Sequence, residues 1–236
     1  MPALALLAGG LATRLRPLTL TVPKSLVAVA GEPFVAHQLR LLARQEITDI
    51  VICAGHLGEQ IAEYVGGGAR FGCSVRYSFD GDRQLGTGGA LRKAIPLLGE
   101  RCFVMYGDSY LLTSFAPVLR AFEGAGLPAL MTVFRNAGRW DTSNVEFVDG
   151  VIRRYDKVDR TPAMLHIDYG LGIVAIDALK AWPAEGAFDL ADFFRDLARR
   201  GLLAGLEVSE RFYEIGSPSG VDEADAFLRR LHGKRP

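Results

Sequence analysis

Short apolar runs alternate with amphipathic segments through the first half of the chain. The apolar runs predict buried strands at Ala3–Ala8, Ile50–Cys53, Ser74–Ser78, Cys102–Tyr106 and Ala129–Phe134. Between them, apolar residues recur three or four positions apart, as they do on one face of a helix. This spacing predicts helices at Pro33–Arg44, Gly58–Tyr64, Ala90–Leu98 and Leu112–Glu123. Strands and helices that alternate in this way are typical of an α/β fold, with a mostly parallel sheet flanked by helices.

The second half has a different pattern, with short strands of alternating polarity from about Arg135 onward. These strands are predicted at Asn144–Phe147, Val151–Tyr155 and Gly170–Ile176. The tripeptide Val148-Asp149-Gly150 predicts a hairpin turn between the first two. Helices return at Leu190–Arg199 and Val221–Leu231, and Ser217 is a candidate cap for the last one. No repeat or linker interrupts this pattern, which indicates a single domain over residues 1–236.

The composition is that of an ordinary soluble globular protein. Apolar residues make up 49% and charged residues 23% of the 236 positions, and 27 basic residues balance 27 acidic ones. Zero net charge without a basic stripe disfavours a nucleic-acid binder, and no apolar stretch approaches the roughly 20 residues of a membrane span. Cys53, Cys73 and Cys102 lie in apolar runs and are expected to be buried, reduced thiols. We therefore expect a cytoplasmic protein with no nucleic-acid or membrane partner.

The candidate chemistry lies in the loop that follows the first predicted strand. There Gly9 and Gly10 allow the backbone to approach a ligand closely, and Thr13 adds a hydroxyl donor. Arg14 offers a planar fork for phosphate oxygens, and Lys24 offers a compact charge further along the loop. Because open α/β sheets bind ligands at the carboxyl ends of their strands, this pattern indicates a polyphosphate site. The loop lacks both the Walker spacing and the Gly-x-Gly-x-x-Gly fingerprint, which argues against a P-loop enzyme and a dinucleotide-dependent oxidoreductase.

The pattern Gly-Gly-x-x-Thr-Arg-Leu-x-Pro-x-Thr-x-x-x-Pro-Lys, from Gly9 to Lys24, resembles the signature of the sugar-nucleotide nucleotidyltransferases. Later segments resemble further motifs of that family in the same order, and the likeness extends over nearly the whole chain. Leu85–Ala90 is similar to the second nucleotide loop, and Gly107–Ser109 to the Gly-Asp metal site. Tyr155–Lys157 is similar to the Glu-Lys sugar-phosphate site of the family, and Ile167–Gly170 to its sugar-binding Asn-x-Gly turn. Tyr213–Gly216 is similar to the late Asp-x-Gly metal site.

The resemblance implies a Rossmann-like fold of the nucleotide-diphospho-sugar transferase type. It implies an enzyme that joins a nucleoside triphosphate to a sugar 1-phosphate and releases pyrophosphate, as a monomer or a homodimer. Residues 1–134 would then bind the nucleotide, and residues 135–236 the sugar phosphate. The implied catalytic residues are Arg14, Lys24, Asp108 and Lys157, and the implied magnesium ligands are Asp108 and Glu214. The implied substrate contacts are Leu7, Ala8, Gly9, Gly10, Thr13, Gly86, Thr87, Gly88, Asp168 and Tyr169.

Two residues depart from the family pattern. Glu214 stands where the family usually carries aspartate, which shifts the carboxylate by about one bond length. Asp141 lies near the place where many relatives have a glycine that contacts the sugar, so it suggests an unusual acceptor or a different local turn. The chain also stops after its last predicted helix, without the C-terminal β-helix of longer relatives, and a compact single-domain enzyme is expected.

The substrates are indicated only by the loop Leu85-Gly86-Thr87-Gly88-Gly89-Ala90. It resembles that of heptose 1-phosphate guanylyltransferases and, less closely, that of mannose 1-phosphate enzymes, so GTP with a heptose or hexose 1-phosphate is the expected pair. Three alternatives stay open. They are uridylyl transfer to N-acetylmuramate 1-phosphate, cytidylyl transfer to a non-sugar phosphate or phosphonate, and a catalytically silent nucleotide-sensing protein on the same scaffold.

Overall fold

Thirteen strands and seven α-helices are described in the computed structural model, which covers residues 1–136, 138–139, 142–183 and 186–233. The strands are β1 Leu4–Leu7, β2 Ala28–Val29, β3 Glu32–Pro33, β4 Asp49–Ala54, β5 Ser74–Phe79, β6 Arg101–Tyr106, β7 Ser109–Leu111, β8 Ala129–Arg135, β9 Val145–Val148, β10 Val151–Tyr155, β11 His166–Ala175, β12 Leu203–Val208 and β13 Phe212–Glu214. The helices are α1 Phe34–Arg44, α2 Gly58–Val65, α3 Gly86–Lys93, α4 Phe115–Ala125, α5 Ile176–Ala181, α6 Leu190–Arg199 and α7 Pro218–Gly233.

Nine strands form one sheet in the order β5-β4-β1-β6-β11-β8-β12-β10-β9. The first four are parallel neighbours, so their carboxyl ends meet at one edge. Strands β10 and β11 run antiparallel to the other seven strands of the sheet. The expected α/β fold with a mostly parallel sheet is therefore confirmed. The pairing of β11 with β8 shifts register between Asp168 and Gly172, and such a bulge re-aims the side chains beside it.

Helices cover both faces of the sheet because each strand buries apolar residues on both sides. Helices α1, α2 and α4 pack on one face, around residues such as Leu39, Ile61 and Phe115. Helices α3, α5 and α6 pack on the other face, around Leu91 and Phe193. A third, smaller apolar cluster joins α1 and α7 to the loop after β1, and its members are Leu15, Val27, Val29, Phe34, Leu41, Tyr110, Ile215, Ala224 and Leu228.

Most predicted elements of the first half are confirmed within one to three residues, and α6 is confirmed at both ends. The hairpin turn is also confirmed, since Asp149 and Gly150 have positive φ angles of 50° and 80° between β9 and β10. Ser217 caps α7, where its Oγ accepts a hydrogen bond from the Gly220 N–H at 3.2 Å. All three cysteines are free and buried, as expected. Among the described residues, no helix is both long and apolar enough to cross a membrane.

Some elements differ from the prediction. Helix α3 runs from Gly86 to Lys93 and not from Ala90 to Leu98, so the glycines from Gly86 to Gly89 belong to its first turn. Helix α5 and the strands β7, β12 and β13 were not predicted, because the three strands are short or glycine-containing and α5 has only six residues. The long loop after β1 contains three short 3-10 turns and the two-residue strands β2 and β3. Asp141, which departs from the family pattern, lies outside the described residues.

Candidate active site

Two clefts open side by side where the parallel strands end. The strand-end cleft, of about 270 Å³, is lined by Leu7, Ala8, Gly9, Gly10, Lys24, Ser25, Cys53, Asp80, Gln84, Gly86, Thr87, Ala90, Tyr106, Gly107 and Asp108. The side cleft, of about 220 Å³, is lined by Tyr106, Asp108, Ser109, Asn144, Lys157, Ile167, Asp168, Tyr169, Gly170, Phe212 and Glu214. Tyr106 and Asp108 line both clefts. Two ligands bound in these clefts would therefore meet at Asp108.

Two loops approach each other closely at the strand-end cleft. A Cβ atom at Gly55 would lie 2.7 Å from the carbonyl oxygen of Gly9, so only glycine fits where the loops after β1 and β4 approach each other. The loop after β1 is held in place by Thr19, which is buried and donates its hydroxyl to the Ala12 carbonyl at 2.8 Å. Leu15 anchors the same loop in the apolar cluster under α7. The glycines are thus presented on a fixed loop.

Lys24 and Asp108 form an ion pair inside the strand-end cleft. Lys24 Nζ lies 2.6 Å from Asp108 Oδ2, and the two side chains are 21% and 20% exposed. Lys24 opens a short 3-10 turn after Pro23, while Asp108 sits in the tight connection between β6 and β7. The sequence separates these residues by more than eighty positions, and the sheet edge brings them together. The pair places one positive and one negative group at the junction of the two clefts.

Asp108 and Glu214 are brought together by a small antiparallel ribbon. Strand β13 pairs with β7 so that Glu214 is opposite Ser109, the neighbour of Asp108. The Ile215 N–H donates to the Asp108 carbonyl at 2.9 Å and fixes the two segments to each other. Both carboxylates line the side cleft.

This donor set fits a magnesium ion. Mg²⁺ is usually held by one or two carboxylates together with substrate phosphates, and not by a full cage of protein ligands. Within the described ranges, no group of three or more histidine, cysteine, aspartate or glutamate side chains is arranged to hold a metal. The two carboxylates would therefore need phosphate oxygens to complete the coordination of the ion.

Arg14 approaches the same ribbon from the loop after β1. A Cβ atom at Gly216 would lie 2.8 Å from Arg14 Nη2 and 3.6 Å from Glu214 Oε1, so this glycine leaves room for the guanidinium. Arg14 is exposed and is not among the lining residues of the strand-end cleft. Its position is beside the metal-ligand candidate Glu214, at the mouth of the site.

Asp168 forms the floor of the side cleft. Its Oδ2 accepts a hydrogen bond from the Tyr155 hydroxyl at 3.1 Å, and its Oδ1 accepts one from the Gly170 N–H at 3.0 Å. Its own N–H donates to Asn144 Oδ1 at 3.0 Å, which brings Asn144 to the cleft wall. Burial raises the pKa of Asp168, against the opposing effects of the Lys157 charge and of these hydrogen bonds. The carboxylate is thus held rigidly, with acceptor lone pairs at the cleft surface.

Lys157 overhangs the side cleft. Its Nζ lies 5.8 Å from the centre of the Tyr106 ring. The preceding Asp156 does not serve the cleft, since its Oδ1 accepts the N–H groups of Val158 and Asp159, both at 2.9 Å. These bonds shape the turn that carries Lys157, and they lower the pKa of Asp156. The acidic member of the Tyr155-Asp156-Lys157 motif is therefore structural, whereas the lysine faces the site.

Two of the predicted substrate contacts, Thr87 and Gly88, have partners within the protein. The Thr87 hydroxyl donates to Asp189 Oδ1 and accepts from the Leu190 N–H, both at 2.8 Å, so it joins α3 to the start of α6 while lining the strand-end cleft. Gly88 packs under Phe188, whose ring carbon would lie 2.1 Å from a Cβ at this position. Thr13 and Gly88 are absent from the described linings of both clefts.

Tyr169 belongs mainly to the core. Its ring packs edge-on against Phe212 at 5.8 Å between centroids, and burial raises the pKa of its hydroxyl to about 12. It is only 1% exposed, so it borders the side cleft from the core side.

Sequence reasoning missed Asp80 and Gln84 in the strand-end cleft, and Tyr106 and Asn144 in the side cleft. Asp80 comes directly after β5, and Asp108 lies in the connection that follows β6, so the rule that places ligands at strand ends could have found Asp80 as well. Asn144 comes before a short strand, in a region where the pattern of apolar residues is weak, so its position in the sequence did not indicate a ligand site.

The chain matches the family model described as nucleotidyl transferase over residues 4–147. It is 31% identical over 236 residues to the low-salt glycan biosynthesis nucleotidyltransferase Agl11 of Haloferax volcanii, an alignment that covers 94% of this chain and 65% of that protein. The chain thus spans less than two thirds of the length of that relative.

Two further relatives align over nearly their whole length. A D-glycero-alpha-D-manno-heptose 1-phosphate guanylyltransferase of Campylobacter jejuni is 24% identical, with 90% of this chain and 94% of the relative covered. An N-acetylmuramate alpha-1-phosphate uridylyltransferase of Caulobacter vibrioides is 28% identical, with coverage of 94% and 95%. Among solved structures, a glucose-1-phosphate thymidylyltransferase of Bacillus anthracis, described as putative, superposes with a TM-score of 0.84 at 23% identity, over 96% of this chain and 95% of that one. That similarity shows the fold.

Proposed function

The chain belongs to the nucleotidyl transferase family, and on that premise we propose that it transfers a nucleotidyl group from a nucleoside triphosphate to a sugar 1-phosphate, with release of pyrophosphate. The observation that carries this proposal is the wall that the two clefts share. A triphosphate in the strand-end cleft and a phosphorylated acceptor in the side cleft would both reach Asp108. Such an arrangement suits a reaction between two phosphate groups, because both must approach one charged centre.

In the proposed reaction, a phosphate oxygen of the sugar 1-phosphate attacks the α-phosphorus of the triphosphate. A new P–O–P bond forms, the bond between the α-phosphorus and the bridging oxygen breaks, and pyrophosphate leaves with the electron pair. A phosphate monoester has a second pKa of about 6, so the attacking oxygen is already anionic and no general base is required. The site must instead align two anions and offset their repulsion.

The cations around Asp108 would perform that task. Lys24, held by its ion pair with Asp108, would contact the α-phosphate, and Lys157 would hold the acceptor phosphate. Arg14, at the mouth beside Glu214, would contact the departing pyrophosphate. When bound by Asp108 and Glu214, Mg²⁺ would supply further neutralisation of the phosphate charge.

The side cleft supports a neutral sugar as the acceptor. Its floor offers the Asp168 carboxylate and its wall offers Asn144, groups that bind sugar hydroxyls. A carboxylate on the sugar, as in N-acetylmuramate, would lie close to Asp168 and be repelled at short range. We therefore propose GTP with a heptose or hexose 1-phosphate as the substrate pair, and the choice of GTP is supported by the likeness of the loop Leu85–Ala90 to that of heptose 1-phosphate guanylyltransferases.

The test is pyrophosphate release in magnesium buffer, with GTP, UTP, CTP, dTTP and ATP each paired with a panel of acceptors. The panel contains heptose, mannose, glucose and N-acetylmuramate 1-phosphates, together with phosphocholine. Release with a neutral sugar 1-phosphate is the expected result. Release only with N-acetylmuramate 1-phosphate or phosphocholine would replace the proposed acceptor. Nucleotide binding without release across the panel would indicate a nucleotide-sensing protein on the same scaffold.

A further inference from the structure

One polar side chain of α1 is fully buried on the face that packs against the sheet. The apolar residues Val35, Leu39 and Leu42 belong to this face, and Gln38 lies among them with no exposed surface. Burying an amide costs free energy unless its hydrogen bonds are made again inside the protein. A leucine would pack at this position without that cost. The presence of Gln38 is therefore explained by what its amide holds.

The Gln38 amide spans the connection that carries Asp108. Its Nε2 donates to the Ser109 carbonyl at 2.8 Å and to the Tyr106 carbonyl at 3.2 Å. These two carbonyls stand on either side of Gly107 and Asp108. Because both partners are acceptors, they settle which end of the amide is the nitrogen. One side chain of α1 thus joins the end of β6 to the start of β7.

The two residues inside this connection are also held from elsewhere in the fold. Ser25 Oγ donates to the Gly107 carbonyl at 3.4 Å, and the Ile215 N–H donates to the Asp108 carbonyl at 2.9 Å. Gly107 donates its own N–H to the Leu7 carbonyl at 2.9 Å. Four consecutive carbonyls, from residue 106 to residue 109, therefore accept hydrogen bonds from groups outside the connection, and two of those bonds come from Gln38.

The Asp108 side chain needs this support from its backbone. In the proposed function Lys24 contacts the α-phosphate and Asp108 binds Mg²⁺, so their ion pair would not fix the carboxylate during the reaction. Mg²⁺ requires near-ideal octahedral geometry, and here two carboxylates would supply its protein ligands. A small change in the direction of either carboxylate would weaken the site.

We propose that Gln38 is a positioning residue for Asp108. Its two N–H groups fix the carbonyls of Tyr106 and Ser109, and this sets the direction in which the Asp108 carboxylate enters the junction of the clefts. Gln38 is absent from the described linings of both clefts, so it acts through the backbone and not by contact with a ligand. The inference rests on the proposed function in taking Asp108 as a magnesium ligand.

A purely structural role for Gln38 makes a different prediction. If the amide only stabilises the fold, its removal should lower the free energy of unfolding and leave the folded enzyme unchanged. A positioning role predicts a loss in the folded enzyme, in the steps that involve magnesium. The discriminating quantity is therefore the factor by which magnesium strengthens nucleotide binding.

The experiment is equilibrium binding of nucleotides to the full chain by isothermal titration calorimetry, in magnesium buffer and in EDTA, without acceptor. GTP, UTP and dTTP are titrated in parallel, so a wrong choice of base does not decide the result. The proteins are the wild type, Gln38→Met, Gln38→Leu and the matched control Leu42→Met. Leu42 is also fully buried, one turn further along α1, and the control receives the same new side chain. Thermal unfolding verifies that each variant is folded.

Both Gln38 variants should lose about tenfold or more of the enhancement by magnesium, since removing a partner that orients a metal ligand typically costs about 10- to 100-fold. Their affinities in EDTA should match that of the wild type. Methionine and leucine differ in shape, so a loss that both share follows from the missing N–H groups. In pyrophosphate release, kcat should fall by a similar factor. Leu42→Met should match the wild type in every measurement.

An unchanged magnesium enhancement in the Gln38 variants would overturn the inference and leave the proposed transferase function standing. An equal loss in Leu42→Met would also overturn it, because the effect would then come from packing along α1. A wild type that binds nucleotide equally well in magnesium and in EDTA would overturn the assignment of Asp108 as a metal ligand. Failure of every nucleotide to bind would overturn the proposed function as well.

Discussion

The two clefts are built from different parts of the molecule. The strand-end cleft lies where parallel strands end, and glycines let its loops approach each other, as at Gly9 and Gly55. The side cleft is made of side chains, which β10, β11 and the β7–β13 ribbon bring from separate parts of the chain. In the first cleft, the residues that shape the site also pack the fold. In the second, Lys157 projects from the surface of the fold, and Asp168 is held in place by hydrogen bonds from Tyr155 and Gly170.

This contrast separates two kinds of mutational cost. Substitutions at the packed glycines should lower stability, whereas substitutions of Lys157 or Asp168 should change activity or substrate choice. Asp108 lies at the junction and serves both clefts, so its loss should have the largest effect.

Asp108→Asn is expected to lower turnover by about a thousandfold, because it removes the partner of Lys24 and one of two candidate metal ligands. The measurement is magnesium-dependent pyrophosphate release, with circular dichroism to verify folding. Ser114→Ala is the matched control, since Ser114 makes no side-chain cap bond. An Asp108→Asn enzyme with the wild-type rate would show that the junction is not the reacting centre.

Lys157→Ala should affect only the side cleft. We expect kcat/KM for the sugar 1-phosphate to fall by about a hundredfold, because a charge-assisted contact to the acceptor phosphate is lost, while nucleotide affinity stays unchanged. Arg153→Ala, on the same hairpin and exposed, is the control. Equal losses in nucleotide and acceptor binding would contradict the division between the clefts.

Gly88→Ala should lower the free energy of unfolding by about 1–3 kcal/mol, because the new Cβ collides with the Phe188 ring. Denaturant unfolding measures the change, and Gly99→Ala is the control, since no atom lies within 4 Å of a Cβ there. Combining Gly88→Ala with Phe188→Leu should recover part of the loss. If the single substitution leaves stability intact but weakens nucleotide binding, Gly88 is a ligand contact as first predicted.

Asp168→Asn should give the smallest effect, a modest gain in stability that depends on pH. Burial raises the pKa of Asp168 in the folded protein, so the folded state binds a proton more readily than the unfolded state does. The charged aspartate therefore destabilises the fold above its folded pKa, and this cost disappears as pH falls to the unfolded value of about 3.9. Thermal unfolding of both proteins from pH 4 to pH 8 should show curves that diverge as pH rises. Parallel curves would show that burial of the Asp168 charge does not cause the difference in stability.

The same contrast explains what the sequence could predict. The loop pattern from Gly9 to Lys24 and the strand that ends before Asp108 predicted one cleft, because glycines and strand ends are local signals. The side cleft was reached only through family resemblance, since Lys157, Asp168 and Glu214 lie on segments whose pairing the sequence does not reveal. The sequence also does not show whether a glycine makes room for a ligand or for another part of the protein. The family resemblance predicts Gly88 as a substrate contact, whereas the structure shows that the Phe188 ring, one hundred residues later, leaves no room for a side chain there.

Strand β11 lies in the middle of the sheet and hydrogen-bonds to neighbours on both sides, β6 and β8. A strand held in this way cannot slide or swing to suit a new sugar, so in the proposed function Asp168 would act as a fixed template and not as an adjustable clamp. Over evolutionary time, a change of acceptor in this scaffold would have to come from exchanging side chains in place. Closely related enzymes could therefore share almost identical backbones and still differ in the sugars that they use.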